Sequence, residues 1–274
     1  MSPKKKLFSR TDRIAFIGAG KMAEAIIVGL VKSKKVLPQQ VIISDIKSER
    51  LSFLKETLKV NIAKDNQKAI NDSSVVVLAV KPQNFPGTLD RLNFSKTKII
   101  ISIAAGITIN YLENKIPDKS IIRVMPNNPA LVQKGITAIA AGIRAKSEDV
   151  DIAKMIFQTV GEVVEVGENL LDAVTGLSGS GPAFVYLMAE AMVEAGETLG
   201  INKSIAEKLA IKTILGSAET LRKTQKPAYE LRGMVTSPGG TTKAGLDVLE
   251  IKGFKQAVID AVAAAARRAK ELSS

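Results

Sequence analysis

The residues best placed to do chemistry lie in a short loop of the C-terminal third, residues 237–242, with the sequence Ser-Pro-Gly-Gly-Thr-Thr. The loop interrupts a helix-forming region with two glycines and three hydroxyl side chains, and an apolar-periodic run over residues 244–251 follows it. A loop of this kind at the start of a helix can direct backbone N–H groups and a hydroxyl at a small anion. The sequence therefore predicts an anion-binding loop here.

Histidine and cysteine are both absent from the chain. Histidine general bases, histidine-based triads, thiol nucleophiles and His/Cys zinc sites are thereby excluded. Chemistry must come from a bound cofactor together with hydroxyl, carboxylate, lysine or backbone groups. We predict no metal site.

A glycine-rich turn near the N-terminus matches the pattern G-x-G-x-x-A and comes directly after an apolar strand pattern. Gly18 permits the tight turn, Gly20 lets a pyrophosphate approach the backbone, and Ala23 allows the following helix to pack closely on the strand. The alternative is an ordinary tight turn. The N-terminal position, the preceding strand and the following helix together favour a dinucleotide site.

The second predicted strand ends at Ser44 and Asp45. An acidic residue at this point usually binds the ribose hydroxyls of NAD. Lys47 and Arg50 follow closely, however, and with the Ser44 hydroxyl they form a plausible seat for the 2′-phosphate of NADP. Asp45 is alternatively a helix cap or turn residue. The preference between NAD(H) and NADP(H) stays open.

Two further segments follow predicted strands, Val-Lys-Pro at residues 80–82 and Ala-Ala-Gly at residues 104–106. Open parallel sheets bind ligands at the carboxyl ends of their strands, and small side chains there let a flat nicotinamide approach the main chain. Lys81 is a catalytic lysine, a solvated loop charge or a positional residue, and we favour the positional role because Pro82 fixes the backbone. The Pro-rich segment 123–129 is predicted to be a loop floor.

Short β-branched runs alternate with helix-length segments from residue 13 to about residue 166, the pattern of a parallel sheet flanked by helices. The predicted strands are 13–17, 41–44, a shorter one near 60–63, 75–80, 98–103, 121–124, 135–140 and 162–166. The predicted helices between them include 21–31, 48–58, 108–115 and 148–158.

The strand signal then disappears and amphipathic helices follow, at residues 182–199, 204–221 with a capping box of Ser204 and Glu207, 227–234, 241–251 and 254–272. The prediction is an α/β dinucleotide-binding domain over residues 1–168 and an all-α domain over residues 169–274. Within the predicted helix, Glu190 and Glu194 are the only charged residues in the apolar stretch 182–195. We therefore expect this stretch to be buried against a second copy of the chain.

The composition is that of a globular protein, with 274 residues, 46% hydrophobic content and a formal net charge of +12. No apolar run approaches the roughly 18 residues of a spanning helix, and no secretory signal follows the N-terminal lysines, so a cytoplasmic location is expected and no membrane partner. The basic residues are dispersed and aromatic content is only 4%. We therefore expect no nucleic-acid partner, and the field attracts small anions.

Five segments together resemble the pyrroline-5-carboxylate reductases, which catalyse the last step of proline synthesis. They are residues 18–23, 78–83, 123–127, 172–183 and 237–242, in the family's order, and the resemblance extends from about residue 13 to the C-terminus. It implies a Rossmann-like N-terminal domain, a helical dimerisation domain with an active site completed across the dimer, and often a ring of dimers. The last two segments are the most specific.

The resemblance also implies site residues. Cofactor-contacting positions are Ile17, Gly18, Ala19, Gly20, Lys21, Met22, Ser44, Asn66, Ala79, Val80, Lys81, Pro82, Ala104 and Ala105, to which the end of the second strand adds Asp45 and Lys47. Substrate-contacting positions are Glu168, Thr241, Thr242 and, by alignment only, Met234, and the loop adds Ser237, Gly239 and Gly240. The chain departs from a common family pattern at residues 45–47, where an Asn-Arg-Ser type stretch often stands, which puts a strong NADPH preference in doubt.

The implied reaction suits these residues. Reduction of a cyclic imine needs a hydride on carbon and a proton on nitrogen, and the imine is basic enough for solvent to supply that proton. The loop would hold the substrate carboxylate through backbone N–H groups, while the Thr242 hydroxyl hydrogen-bonds the ring nitrogen. Thr242 is thus the predicted catalytic residue.

Two other interpretations remain open. A β-hydroxyacid dehydrogenase also joins an α/β domain to a helical one and uses a helical lysine as its acid or base. Lys208 and Lys212 lie on such a helix, but the surrounding sequence lacks that family's glycine and asparagine setting. The third interpretation is a non-catalytic dinucleotide sensor or basic nucleic-acid binder.

Overall fold

The computed structural model describes residue 9 and residues 12–272, apart from the side chain of Pro86. The chain divides into two compact units. The first runs to Gly179 and takes in the chain again from Ala265, and the second is Ser180–Ala264. They are called the α/β unit and the helical unit below.

An eight-stranded sheet forms the centre of the α/β unit, in the order β3-β2-β1-β4-β5-β6-β7-β8. All neighbouring strands are parallel except β6 and β7, which pair antiparallel. The strands are β1 Ile14–Ile17, β2 Val41–Ser44, β3 Asn61–Ile62, β4 Val75–Leu78, β5 Ile99–Ser102, β6 Ser120–Pro126, β7 Gly135–Ala141 and β8 Gly161–Glu165. Strands β2 and β3 lie on one side of β1, and the chain then crosses back to place β4 on the other side. A ligand-binding crevice forms where the strand order reverses in this way.

Helices cover both faces of this sheet. They are α1 Lys21–Lys32, α2 Ser48–Leu58, α3 Asn66–Asn71, α4 Phe85–Leu89, α5 Ile109–Lys115, α6 Ser147–Phe157 and α7 Leu171–Val174. Successive residues of β1 alternate between two buried clusters, Phe16 in one and Ile17 in the other, because side chains of a strand point to opposite faces. Every residue of β1, β2, β4 and β5 is buried, so these strands are continuous apolar runs.

The helical unit contains helices α8 Gly181–Thr198, α9 Lys203–Thr224, α10 Ala228–Met234 and α11 Thr241–Ile251, and α12 Phe254–Glu271 begins in it. Pro182 lies in the first turn of α8, and Gly200 with φ +87° follows its end. Helices α8 and α9 approach closely, since a Cβ at Gly196 would lie 3.0 Å from the Cβ of Ala206. Ala206 and Ala210 are the only buried residues of this unit.

The predicted architecture is confirmed, and the predicted helices and strands occur within one or two residues of their expected bounds, except that α9 runs to Thr224. Three details were wrong. Strand β7 is antiparallel to β6, and β6 extends through Met125 and Pro126, which pair with Ala138 and Thr137, so the predicted loop floor is partly strand. Helix α9 is capped by Asn202, whose side chain accepts the Ser204 N–H at 3.0 Å, and not by a Ser204–Glu207 box.

No helix in the described part of the chain is long and apolar enough to cross a membrane.

Candidate functional site

The glycine-rich turn after β1 is fixed by close backbone packing. Gly18 has φ +99°, and a Cβ there would lie 2.6 Å from the Ala79 carbonyl oxygen, so only glycine fits. The Gly18 N–H donates to the Ser44 carbonyl at 2.8 Å, and the Ala79 N–H donates to the Ile17 carbonyl at 2.8 Å. These bonds hold the carboxyl ends of β1, β2 and β4 at one edge of the sheet.

The N-terminus of α1 opens onto free space beside this turn. Gly20 is its N-cap residue and supplies no side-chain cap, and a Cβ built on Gly20 meets no atom within 4 Å. Lys21 and Met22 begin the helix, and Ala23 is buried against the sheet. First-turn N–H groups with no capping side chain, next to a glycine with space above it, fit a pyrophosphate. The observed geometry therefore fits a dinucleotide.

The end of β2 is bonded to the neighbouring loops. The Ser44 hydroxyl donates to Asn66 Oδ1 at 2.7 Å, which ties β2 to the start of α3. Asp45 Oδ2 accepts the Ala19 N–H at 2.6 Å and Oδ1 accepts the Lys47 N–H at 2.8 Å. Asp45 is thus neither a simple N-cap nor a free surface acid, because its carboxylate bridges the glycine-rich turn and the loop that leads into α2.

The ends of β4 and β5 supply the rest of the predicted coenzyme edge. Lys81 is exposed and precedes a 3-10 turn that begins with Pro82, while Ala79 and Val80 are half-buried. Ala104 is buried and Ala105 half-buried after β5. A Cβ at Gly106, which has φ +80°, would lie 2.5 Å from the Leu272 carbonyl oxygen, so this loop packs against the residue that follows α12.

Glu168 lies in an ion-pair network of the α/β unit. Its Oε1 accepts the Ile109 N–H at 2.6 Å and Arg123 Nη1 at 3.0 Å, and Arg123 Nη2 lies 3.8 Å from Asp172. Arg123 is only 5% exposed. A buried guanidinium needs such partners, so the arginine holds the Glu168 carboxylate against the start of α5. No local sequence pattern indicates this pair, whose two residues are 45 positions apart.

The anion-binding loop leads directly into α11 in the helical unit. Gly239 has φ +67°, and Gly240 is the N-cap residue, with no side-chain cap on the helix. A Cβ at Gly240 would displace the Ser237 hydroxyl and lie 3.2 Å from the Ser237 carbonyl oxygen, so the loop folds closely back on its own start. The first-turn N–H groups of an uncapped helix can receive an anion. The described loop therefore has backbone geometry that suits a small anion, as the sequence predicts.

The side chains of this loop and of α10 lie close to solvent. Thr241 is exposed and Thr242 half-exposed, at the first two positions of α11, and the Thr242 hydroxyl makes no hydrogen bond to a described residue. Met234, the last residue of α10, is exposed with its sulfur 3.9 Å from Lys226 Nζ. Within residue 9 and residues 12–272, acidic side chains form no cluster that could hold a metal ion.

The geometry thus groups the predicted residues into two sets. The coenzyme residues lie along one edge of the sheet, with Glu168 elsewhere in the same unit, and the loop residues lie at the start of α11. A doubly wound sheet with an open, uncapped helix N-terminus at its switch point is typical of dinucleotide-binding proteins, a class that includes the nicotinamide-dependent oxidoreductases.

Comparison with known proteins agrees and is more specific. Residues 13–106 match a family model described as NADP oxidoreductase coenzyme F420-dependent, and residues 168–272 match one described as pyrroline-5-carboxylate reductase dimerisation. A pyrroline-5-carboxylate reductase from Synechocystis is 46% identical over 95% of this chain and 98% of its own length. One from Arabidopsis thaliana is 40% identical over 95% of each chain.

Solved structures give the same result. A pyrroline-5-carboxylate reductase from Coxiella burnetii superposes with a TM-score of 0.89 at 38% identity, covering 96% of this chain and 99% of that one. A Plasmodium falciparum pyrroline carboxylate reductase with NADP bound gives a TM-score of 0.89 at 30% identity, covering 97% of this chain and 99% of that one. The chain belongs to the pyrroline-5-carboxylate reductase family.

Proposed function

We propose that the chain reduces 1-pyrroline-5-carboxylate to L-proline with a hydride from NADPH or NADH, the last step of proline biosynthesis. The observation that carries this proposal within the chain is the start of α11. An uncapped helix N-terminus with two threonines at its first two positions suits a substrate that has a carboxylate next to a ring nitrogen. The open N-terminus of α1 in the other unit suits the coenzyme.

The loop residues bind and orient the substrate in this proposal. Backbone N–H groups at the start of α11, shaped by Ser237, Gly239 and Gly240, hold the carboxylate, and Thr241 lines the same helix start. The Thr242 hydroxyl hydrogen-bonds the ring nitrogen and keeps it protonated. A bound nicotinamide coenzyme supplies the hydride. No strong acid of the protein is required, because solvent protonates the imine before it binds.

Glu168 and Met234 complete the proposed substrate contacts. One oxygen of the Glu168 carboxylate already accepts two hydrogen bonds. An ionised carboxylate has about four acceptor positions, so it keeps capacity for a substrate N–H. Arg123 fixes the direction of that carboxylate, and Met234 contributes apolar surface.

The coenzyme contacts are proposed along the carboxyl edge of the sheet. The residues are Ile17, Gly18, Ala19, Gly20, Lys21, Met22, Ser44, Asp45, Lys47, Asn66, Ala79, Val80, Lys81, Pro82, Ala104 and Ala105. Backbone N–H groups of α1 take the pyrophosphate, and the small residues after β4 and β5 leave room for the nicotinamide. Lys81 has a positional role, since its carbonyl accepts the Asn84 N–H at 2.9 Å while its exposed side chain has no partner among the described residues.

The quaternary arrangement and cellular location belong to the same proposal. The family's dimerisation model over residues 168–272 makes the chain a homo-oligomer. We propose a dimer whose active site is completed by both copies, assembled further into a ring of dimers. The enzyme is proposed to be cytoplasmic, without a nucleic-acid or membrane partner.

The direct test is turnover of the imine. The purified chain is mixed with 1-pyrroline-5-carboxylate and either NADPH or NADH, and the absorbance of the reduced nicotinamide is followed. We expect an imine-dependent decrease with at least one coenzyme and none when the imine is omitted. Absence of turnover with both coenzymes would contradict the proposal. Salt-dependent binding to DNA without imine reduction would instead support a nucleic-acid binder.

A further inference from the structure

Arg50, in the first turn of α2, is held on several sides. Its Nε and Nη2 donate to the Ala19 carbonyl at 3.1 and 3.0 Å, and Nη2 also donates to Glu24 Oε2 at 2.7 Å. The guanidinium lies 5.4 Å from the centre of the Phe53 ring. Arg50 is thereby anchored to the glycine-rich turn, and the sequence alone had offered it as a seat for a 2′-phosphate.

The bonding pattern removes the groups that a phosphate would use. A guanidinium binds phosphate strongly when two parallel N–H groups donate together. One pair of parallel donors, Nε and Nη2, already binds the Ala19 carbonyl. The other pair is Nη1 and Nη2, and there Nη2 already binds Glu24. Only Nη1 has no partner in the described part of the chain.

The negative charges around Arg50 also disfavour binding of the 2′-phosphate of NADP(H). Asp45 is anchored by the N–H of Ala19, the same residue whose carbonyl binds Arg50, so the carboxylate and the guanidinium share one short turn. Burial raises the pKa of Glu24, but the hydrogen bonds and charges of Arg50 and Lys21 outweigh it and leave that pKa below its usual value. Glu24 is therefore ionised at neutral pH and compensates the Arg50 charge.

We propose that Glu24 is a coenzyme-specificity residue. It binds Arg50 and keeps that cation from the 2′-phosphate of NADP(H), and together with Asp45 it biases the site towards NAD(H). The inference rests on the coenzyme site of the proposed function and is independent of the imine chemistry. In its absence Arg50 regains a free end with two N–H donors.

The test is calorimetric titration of the full-length chain with NADP⁺ and with NAD⁺, in the absence of imine. Glu24→Gln should raise the affinity for NADP⁺ relative to NAD⁺ by about three- to fivefold, the upper part of the range expected when a partly exposed ion pair is released. Glu49→Gln is the matched control. It removes the same charge from the exposed first turn of α2, where Glu49 has no bonded partner among the described residues, and should change that ratio by less than about twofold.

A double-mutant cycle isolates the role of Arg50. In the parent protein Arg50→Ala should change NADP⁺ affinity by less than about twofold, whereas in the Glu24→Gln background it should remove the whole gain. Circular dichroism of each variant confirms that it is folded, and Arg50→Gln, which also removes the cation, serves if Arg50→Ala is not. If Arg50→Ala in the parent weakened NADP⁺ more than about tenfold and left NAD⁺ unchanged, Arg50 would already bind the 2′-phosphate and the proposal would be overturned.

Two remaining outcomes separate this inference from the proposed function. An unchanged affinity ratio in Glu24→Gln, with imine turnover intact, would overturn the role of Glu24 alone. Failure of the parent to bind either nucleotide would overturn both the coenzyme site and this inference.

Discussion

The two units of the chain differ sharply in how they bury apolar side chains. In the α/β unit both faces of the sheet are covered, and residues such as Phe16, Phe85 and Phe157 are fully buried. In the helical unit only two alanines are buried. Leucine and isoleucine side chains of α8 and α9 stay exposed, with Leu187 at 64%.

The comparison shows that the helical unit has no sufficient core of its own. Helices in proteins gain most of their stability by packing an apolar face against other elements. Helix α8 has no buried residue within one chain, so it lacks that packing there. Exposed apolar surface on this scale marks an interface, and the match to a dimerisation model over the same residues identifies the partner as another copy. The α/β unit is complete within one chain, whereas the helical unit is complete only in the oligomer.

The largest predicted effect is that of an aspartate placed on the exposed apolar surface of the helical unit, compared with an aspartate placed on the surface of the α/β unit. Leu187→Asp should prevent dimerisation and lower activity to below about one hundredth, because it places a charge in an apolar interface. Ile143→Asp is the control, since Ile143 is 84% exposed on a turn of the α/β unit, and it should leave both properties unchanged. Sedimentation and imine-reduction assays measure the result. An active monomer of the parent, or equal effects of the two substitutions, would remove the distinction between the units.

The next largest effect concerns two glycines of the α/β unit. Gly20→Val should leave the fold intact, since a Cβ there meets nothing, yet weaken nucleotide binding at least about a hundredfold, or roughly 2.7 kcal/mol, by filling the pyrophosphate's approach. Gly18→Ala is the contrast, because its Cβ would meet the Ala79 carbonyl oxygen and destabilise the fold as well. Titration calorimetry and thermal unfolding separate the two. Undiminished affinity in Gly20→Val would refute the coenzyme assignment.

The third prediction concerns the helical unit, at Thr242. If the imine binds already protonated, the hydroxyl only positions it, and the loss should be that of one hydrogen bond rather than of a general acid. Thr242→Ala should therefore lower kcat/KM by roughly ten- to a few-hundredfold at neutral pH, with a larger deficit at alkaline pH where free imine dominates. Steady-state kinetics across the pH range measures the deficit.

The control for this prediction keeps the hydroxyl. Thr242→Ser should recover most of the activity, while its dimer remains intact by sedimentation. Full activity of Thr242→Ala at every pH would make the residue a helix-start residue without a chemical role.

Features encoded in local periodicity could be predicted from the sequence, and features set by distant partners could not. The bounds of α2 and α11 were predicted correctly because apolar spacing and flanking turn residues lie within one short window. The Arg123–Glu168 and Glu24–Arg50 pairs were missed, since each joins residues far apart in the chain. No window contains both partners, and tertiary packing alone brings them together.

Two of the errors had signals that were present in the sequence. Parallel neighbours need a crossover of about a dozen residues or more, and the segment between the strands at 121–124 and 135–140 is too short for a helical one. That length indicates the antiparallel pairing of β6 and β7. At α9, the Ser204–Glu207 pattern competed with Asn202, an equally good cap, and only backbone geometry decides which residue leaves the helix.

The smallest predicted effect compares two helix caps, one in each unit. Asp65 accepts the Lys68 N–H at 2.7 Å at the start of α3, and Asn202 accepts the Ser204 N–H at 3.0 Å at the start of α9. Replacing either by alanine removes one partner of a first-turn N–H and should cost about 0.5 to 2 kcal/mol of stability. The two losses should differ in their dependence on protein concentration. Since α9 belongs to the unit that is complete only in the oligomer, dilution should lower the Tm of Asn202→Ala further, whereas Asp65→Ala should show the same concentration dependence as the parent. Thermal unfolding at several protein concentrations measures this, and equal behaviour of both variants would show that α9 is stable without its partner.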